Sequence, residues 1–378
     1  MRDFNEQGWF EGAETVLALF ERLTVMRCIR EEAPVKLLLS ACGALMRGDI
    51  REAVDLSYSM TGELLNCGCR RVTGDLFKDF ILSELFLKPH PFAVMSAANR
   101  LDEAVYNAMK DDLDILFSLK ELSGETLGRF IQERYRELKQ KLHPNRDLAA
   151  RRAEAAWGGG SVRPEEEAKP TTVLPAFLLT GDPKWHYGEE EMRDSFISDE
   201  ALEEMYHRFI EAEPDWSSLT EDLWNFFAAY GCGEFLRVRH FSWEDGWLLP
   251  LTDMRPKDER PLPEGPYRAL IDHAIAFMRG ETMEPVLLSG ADGAGKTAML
   301  FALTDELPEM RFVYAPSVRC ASDLTPIFAA VKDQPLKFLV ALDEPELKGL
   351  AMRLIPANVL LAVARKANMS GFSKIIAT

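Results

Sequence analysis

With 378 residues, 47% of them hydrophobic, the chain is long enough for two or three packed domains and too apolar for global disorder. Its 61 acidic and 44 basic residues leave a net charge of −17, which argues against bulk attraction to nucleic acid or to acidic membranes. No apolar run is long enough to span a bilayer, and charged residues interrupt the amino-terminal stretch where a secretory signal would stand.

The six cysteines are scattered, which suits a reducing, cytoplasmic setting. Cys67 and Cys69 form a C-x-C pair without a second cluster at metal-ligand spacing, and read as two thiols in a loop. Residues 5–143 read as helices. Val16, Leu17, Leu19, Phe20 and Leu23 recur at helical spacing, as do Val35, Leu38 and Leu45, then Phe77, Phe80, Ile81, Leu85 and Phe86. Pro89 and Pro91 stop the last of these, and 101–119 and 122–142 supply two more helices. Residues 135–145 are similar to the second helix of a J-domain with its His-Pro-Asp loop. Asn145 lacks the carboxylate, so the stretch reads as a helix ended by Pro144.

The domain boundaries expected are a helical domain at 1–145, a Gly-, Glu- and Pro-rich linker at 146–183 and a helical connector at 184–234. A β-hairpin and crossing segment follow at 235–265, and a nucleotide-binding core at 266–378. Within the connector, Asp199 is placed to cap a helix carrying Leu202, Met205, Tyr206 and Phe209, and 219–230 is another helix. The strand 235–243 turns at Asp245-Gly246 into a returning strand, 247–251. An amphipathic helix at 267–278 leads to the strand 286–288. Beyond it, strands alternate with helices, as in a parallel α/β sheet. The strands are 311–315, 337–342 and 374–378. The helices include one capped by Ser322 and one at 356–367.

Residues 290–297, GADGAGKT, satisfy the phosphate-loop pattern G-x-x-x-x-G-K-[ST] between an apolar strand and an apolar helix. Gly290, Gly293 and Gly295 let the backbone approach a polyphosphate, with Ala291, Asp292, Ala294 and Ala298 completing the cradle. Free N–H groups and the helix amino terminus favour the anion. Lys296 reaches the phosphates, and Thr297 offers its hydroxyl to Mg²⁺. The apolar run 338–342 ends in Asp343-Glu344, a Walker B pattern. Asp343 is the second candidate Mg²⁺ residue, and Glu344 is the candidate base that orients the attacking water.

Asp343 follows Thr297 by 46 positions, too few for the inserted helical subdomain of a transporter ATPase. The spacing fits the AAA+ order. On that order 374–378 is the sensor strand and Thr378 the candidate sensor residue. Residues 235–378 resemble a bacterial family of AAA+ ATPases known only as a domain of unknown function. FLRVRHFSWEDGWLLPL, YRALIDHAIAFMRGETMEPVLLSG, SDLTPIFAAVKDQPLKFLVALDE and KIIAT carry the likeness. Glu344 stands where that family is expected to show a second Asp.

The resemblance implies an AAA+ fold and ATP binding with Mg²⁺, but no substrate. The expected fold is thus an α/β P-loop sheet behind a helical region and a β-hairpin. Because the sequence stops on the expected sensor strand, the sheet is expected to lack its fifth strand and to leave 286–288 as an edge. The expected function is Mg²⁺-dependent ATP hydrolysis coupled to conformational change on an unknown protein partner, held by the helical half. Homo-oligomers follow from the class. The alternative is a nucleotide-gated adaptor without sustained turnover. A small-molecule kinase is disfavoured, because no lid or acceptor motif follows Glu344.

Overall fold

The computed structural model describes residues 12–142, 185, 200–212, 215–251, 262–291, 293–343, 352–366 and 374–377. The expected linker 146–183, Asp199, the Pro-rich stretch 252–261 and His143 to Asn145 lie outside the described residues. Two compact units emerge. One is drawn from Met1–Leu85, Ala104–Phe196 and Tyr206–Thr220, the other from Phe86–Glu103, Ile197–Met205 and Glu221–Thr378.

The helices of the amino-terminal half are α1 (Ala13–Arg22), α2 (Ala33–Arg47), α3 (Ile50–Asn66), α4 (Leu76–Leu87), α5 (Pro91–Ala97), α6 (Glu103–Leu119) and α7 (Gly124–Leu142), with a 3-10 stretch at Val25–Glu31. Their apolar spacing becomes burial: Val16 and Phe20 of α1 and Val35, Leu38 and Leu45 of α2 are buried. Asp49 caps α3 by accepting from Glu52 N at 3.0 Å. The prolines punctuate as expected. α4 ends at Leu87, and Pro91 opens α5 at its first turn, where a missing N–H costs nothing.

One buried polar residue ties the start of the 3-10 stretch to α6. The Asp112 carboxylate accepts from Met26 N at 2.7 Å, from Thr24 N at 3.0 and 3.1 Å, and from the Thr24 hydroxyl at 3.2 Å. These bonds satisfy backbone donors at the start of the 3-10 stretch that helix geometry leaves without partners.

After α8 (Glu200–Glu211) and α9 (Thr220–Tyr230) comes a short helix, α10 (Glu234–Arg237). The sheet contains β1 (His240–Glu244), β2 (Trp247–Pro250), β3 (Val286–Gly290), β4 (Met310–Tyr314), β5 (Lys337–Asp343), β6 (Val359–Lys366) and β7 (Lys374–Ala377). Between them lie α11 (Glu264–Met278), α12 (Lys296–Glu306) and α13 (Leu324–Val331). The sheet is mixed but mostly parallel, in the order β2-β1-β4-β5-β6-β3-β7. β1 and β2 form the antiparallel hairpin at Asp245-Gly246, whose φ values are 49° and 89°. The ladders β1–β4, β4–β5, β5–β6 and β6–β3 are parallel, and β7 runs antiparallel to β3.

Both faces of the central strands are covered, which is why they read as unbroken apolar runs. Phe338, Val340 and Leu342 of β5 and Val359, Leu361 and Val363 of β6 pack toward α13. Their alternates Leu339, Ala341, Leu360 and Ala362 pack toward α11 and α12.

The structure corrects several sequence expectations. Residues 234–237 are helical where a strand was expected from 235. Phe235 packs its half-buried ring 5.2 Å from both Phe241 and Phe338, and Leu236 is buried, so packing of this segment overrides the alternating pattern. Ser322 is not a cap. It lies inside a 3-10 turn, Ala321–Asp323, and the Asp323 carboxylate takes the free N–H groups of Arg319 and Cys320 at 2.9 and 3.0 Å.

The expected helix 356–367 is the strand β6. The run VLLAVA has good helix formers, but it lies between two parallel strands and buries both faces, which only a strand can do there. β6 therefore fills the place given to 374–378, and the latter segment pairs on the other side of β3 instead. β3 is not an edge strand, since β6 and β7 flank it.

Burial, the leading influence, raises the Asp112 carboxyl above its ordinary value, against the pull of the N–H donors of Met26 and Thr24. The folded chain therefore holds that proton more tightly than the unfolded one. This contribution to stability is complete below about pH 4 and is lost as the pH rises through the elevated value. Asp112→Ala should flatten that slope. It should also cost about 3 kcal/mol at neutral pH, because buried N–H groups lose their acceptors. Urea unfolding of parent and variant across pH checks both.

Candidate functional site

The site begins where β3 ends. Val286 and Leu288 are buried, and the chain leaves the sheet at Gly290. A tight turn follows, with Ala294 N donating to Ala291 O at 3.2 Å. Gly293 and Gly295 take φ values of 69° and 81°, which side chains rarely adopt. Around Gly295 nothing lies within 4 Å of the place a Cβ would occupy. Gly295 is the N-cap of α12, and no side chain caps that end. The first N–H groups of α12 are thus left for another acceptor.

Lys296 opens the helix and curls back over the turn. Its Nζ donates to Gly290 O at 3.0 Å and to Ala291 O at 2.9 Å. Thr297 and Ala298 follow, both half-buried. Met299, Leu300 and Leu303 are buried and anchor α12 on the sheet, so the turn is held from both ends. Asp292 lies outside the described residues.

Asp343 ends β5, half-buried at the same carboxyl edge of the parallel strands. β6 lies between β5 and β3, with Ala364 in register with both Asp343 and Leu288. The structure therefore places the 290–297 turn and Asp343 on one edge, with a single strand between them. Glu344 and Thr378 lie outside the described residues.

Three further residues join this edge that the sequence pattern did not single out. Tyr314 ends β4, and its hydroxyl donates to Asp343 Oδ2 at 2.7 Å. Burial raises the Tyr314 hydroxyl first, and the bond to Asp343 and its charge raise it further, so the proton stays on the phenol. Arg319, in the loop after β4, donates through Nη1 to Asp343 O at 3.5 Å. Arg365 is exposed on β6, in register with Ser289 of β3. Arg365 reaches this edge only because Val359–Lys366 is a strand and not a helix. Tyr314 and Arg319 carry no local motif, since only the β4–β5 ladder brings them to Asp343.

A cavity of about 400 Å³ lies elsewhere, at the far end of α12 from this turn, against Met278, Arg279 and Glu306. Among the described residues, the chemistry gathered at the sheet edge is an uncapped helix amino terminus, the Lys296 and Arg319 cations and the Asp343 carboxylate held by a phenol. It suits an anionic group accompanied by a hard cation. No family model matches this chain, and no curated protein or solved structure does.

Tyr314→Phe deletes the donor to Asp343 and leaves the ring packing in place. It should lower stability by about 1.5 kcal/mol, the usual worth of a hydrogen bond to a charged group, with circular dichroism unchanged. Thermal or urea unfolding checks it.

Proposed function

We propose that this chain is an AAA+-type ATP-binding protein that hydrolyses ATP with Mg²⁺ and couples the reaction to a change of shape on a protein partner. One observation carries the reading. A glycine turn with two left-handed residues joins a buried parallel strand to an uncapped helix, one strand away from an aspartate at the same edge.

The residues present fit the nucleotide and its cation. The N–H groups at the start of α12 would receive phosphate oxygens, and Gly295 leaves room for them. Lys296 now spends its donors on two carbonyls of its own turn, and would trade them for the charge-assisted contact of a phosphate. Thr297 and Asp343 would hold Mg²⁺, which supplies neutralisation of phosphate charge. Tyr314 occupies Asp343 Oδ2, and so orients that carboxylate. Glu344, next in the chain, is assigned to polarise the attacking water.

Lys296→Ala should weaken ATP binding at least about tenfold, the effect of one lost charge-assisted contact. Equal affinity in parent and variant by titration calorimetry would overturn the assignment. Glu344→Gln should keep the affinity and slow phosphate release about a hundredfold, since the amide cannot accept the proton of water. Tight binding without phosphate release by the parent would instead identify the nucleotide-gated adaptor.

A further inference from the structure

The C-x-C pair takes no part in the nucleotide site. It lies in the helical unit, directly after α3. Cys67 is the C-cap of that helix, and Gly68 follows with φ 62°, the left-handed turn that ends many helices. Where Gly68 would carry a Cβ there is open space. The turn folds Cys69 back on Cys67, its thiol donating to Cys67 O with Sγ 4.0 Å away. The Cys67 thiol, when neutral, donates to Leu64 O at 3.1 Å. Both cysteines are free; Cys67 is exposed and Cys69 half-buried.

The two sulfurs are unequal. The hydrogen bond from Cys69 is the leading influence on Cys67, and it draws that thiol down to about 7 against the opposing effect of burial. The N–H groups of Cys69 and Cys67 and the charge of Arg71 act in the same direction. Cys69 is pushed up, first by the bond it gives to Cys67, then by burial and by the charge of Cys67, with Glu84 adding and Ser83 opposing. Elsewhere burial lifts Cys42 to about 12 and raises Cys28 and Cys232. A solvent-facing thiolate beside a proton-holding thiol is the arrangement of an attacking and a resolving sulfur.

We propose that Cys67 and Cys69 form a thiol–disulfide exchange site for small disulfides of the glutathione type. The Cys67 thiolate attacks one sulfur of the disulfide RS–SR. The S–S bond breaks, one thiolate leaves and takes a proton from water, and Cys67 carries the mixed disulfide. Cys69 gives its proton to solvent and attacks the Cys67 sulfur. The second thiolate leaves, and a Cys67–Cys69 disulfide remains. Two protein thiols are oxidised, and one small disulfide is reduced to two thiols. A bridge between residues two apart closes a small exposed ring, so excess reduced thiol reopens it.

The test uses the full chain. Trypsin releases both cysteines in one peptide, Glu52 to Arg70. After treatment with oxidised glutathione, mass spectrometry should find that peptide lighter by two hydrogens and free of glutathione. In Cys69→Ser the same peptide should retain one glutathionyl group on Cys67. In Cys67→Ser, modification should be at least tenfold slower. Alkylation of Cys67 by iodoacetamide should reach half its limiting rate near pH 7 in the parent, and at higher pH in Cys69→Ala. Stable glutathione on Cys67 of the parent would overturn the proposal. So would a Cys67–Cys69 peptide left unmodified while that of Cys28 reacts, or an alkylation profile that Cys69→Ala does not move.

Discussion

The sheet unit depends on β6 lying between β5 and β3. That pairing has two consequences. It converts β3 from a strand with one neighbour into an internal one, with β7 closing its other side. It also puts the carboxyl ends of β3 and β5 on one edge at a separation of one strand, because all three run parallel. Were β6 a helix, the 290–297 turn and Asp343 would share no common frame. Burial on two faces holds the arrangement. Val359, Leu361 and Val363 fill one layer, and Leu360 and Ala362 the other. A charged residue at any of these positions would place an unpaired charge in an apolar layer.

The edge so assembled runs against the character of the chain. A net charge of −17 produces a field that repels polyphosphates at long range. Lys296 folds over the glycine turn and Arg319 reaches Asp343 O at the carboxyl edge of the sheet, where the uncapped start of α12 adds its partial positive charge. Screening confines the bulk repulsion to about 8 Å at physiological salt, so the local cations dominate at contact distance. Tyr314 completes the balance by holding the Asp343 carboxylate in one orientation.

The helical unit uses polar groups differently. Asp112 of α6 is buried and satisfies the Thr24 and Met26 backbone donors, with the Thr24 hydroxyl, just after α1. The thiols after α3 instead sit at a helix end, where Gly68 leaves open space beside them. The first is a structural acceptor closed to solvent; the second is open to reagents. Burial separates the two roles more clearly than residue type does.

Much was legible in the sequence because it depends on local rules. Helix faces in the amino-terminal half, the proline boundaries around α4 and α5, the Asp245-Gly246 turn and the glycine turn at 290–297 all follow from neighbours a few residues apart. So did the apolar strand that carries Asp343 to its edge. The tertiary structure decided what depends on pairing at long range. VLLAVA in β6 suits a helix or a buried strand, and only the open place between β5 and β3 selects the strand. Moving 374–377 across to β3 is the same decision seen from the other side. Tyr314 and Arg319 owe their contacts with Asp343 to the β4–β5 ladder across 29 and 24 positions of sequence, a separation that no local motif encodes.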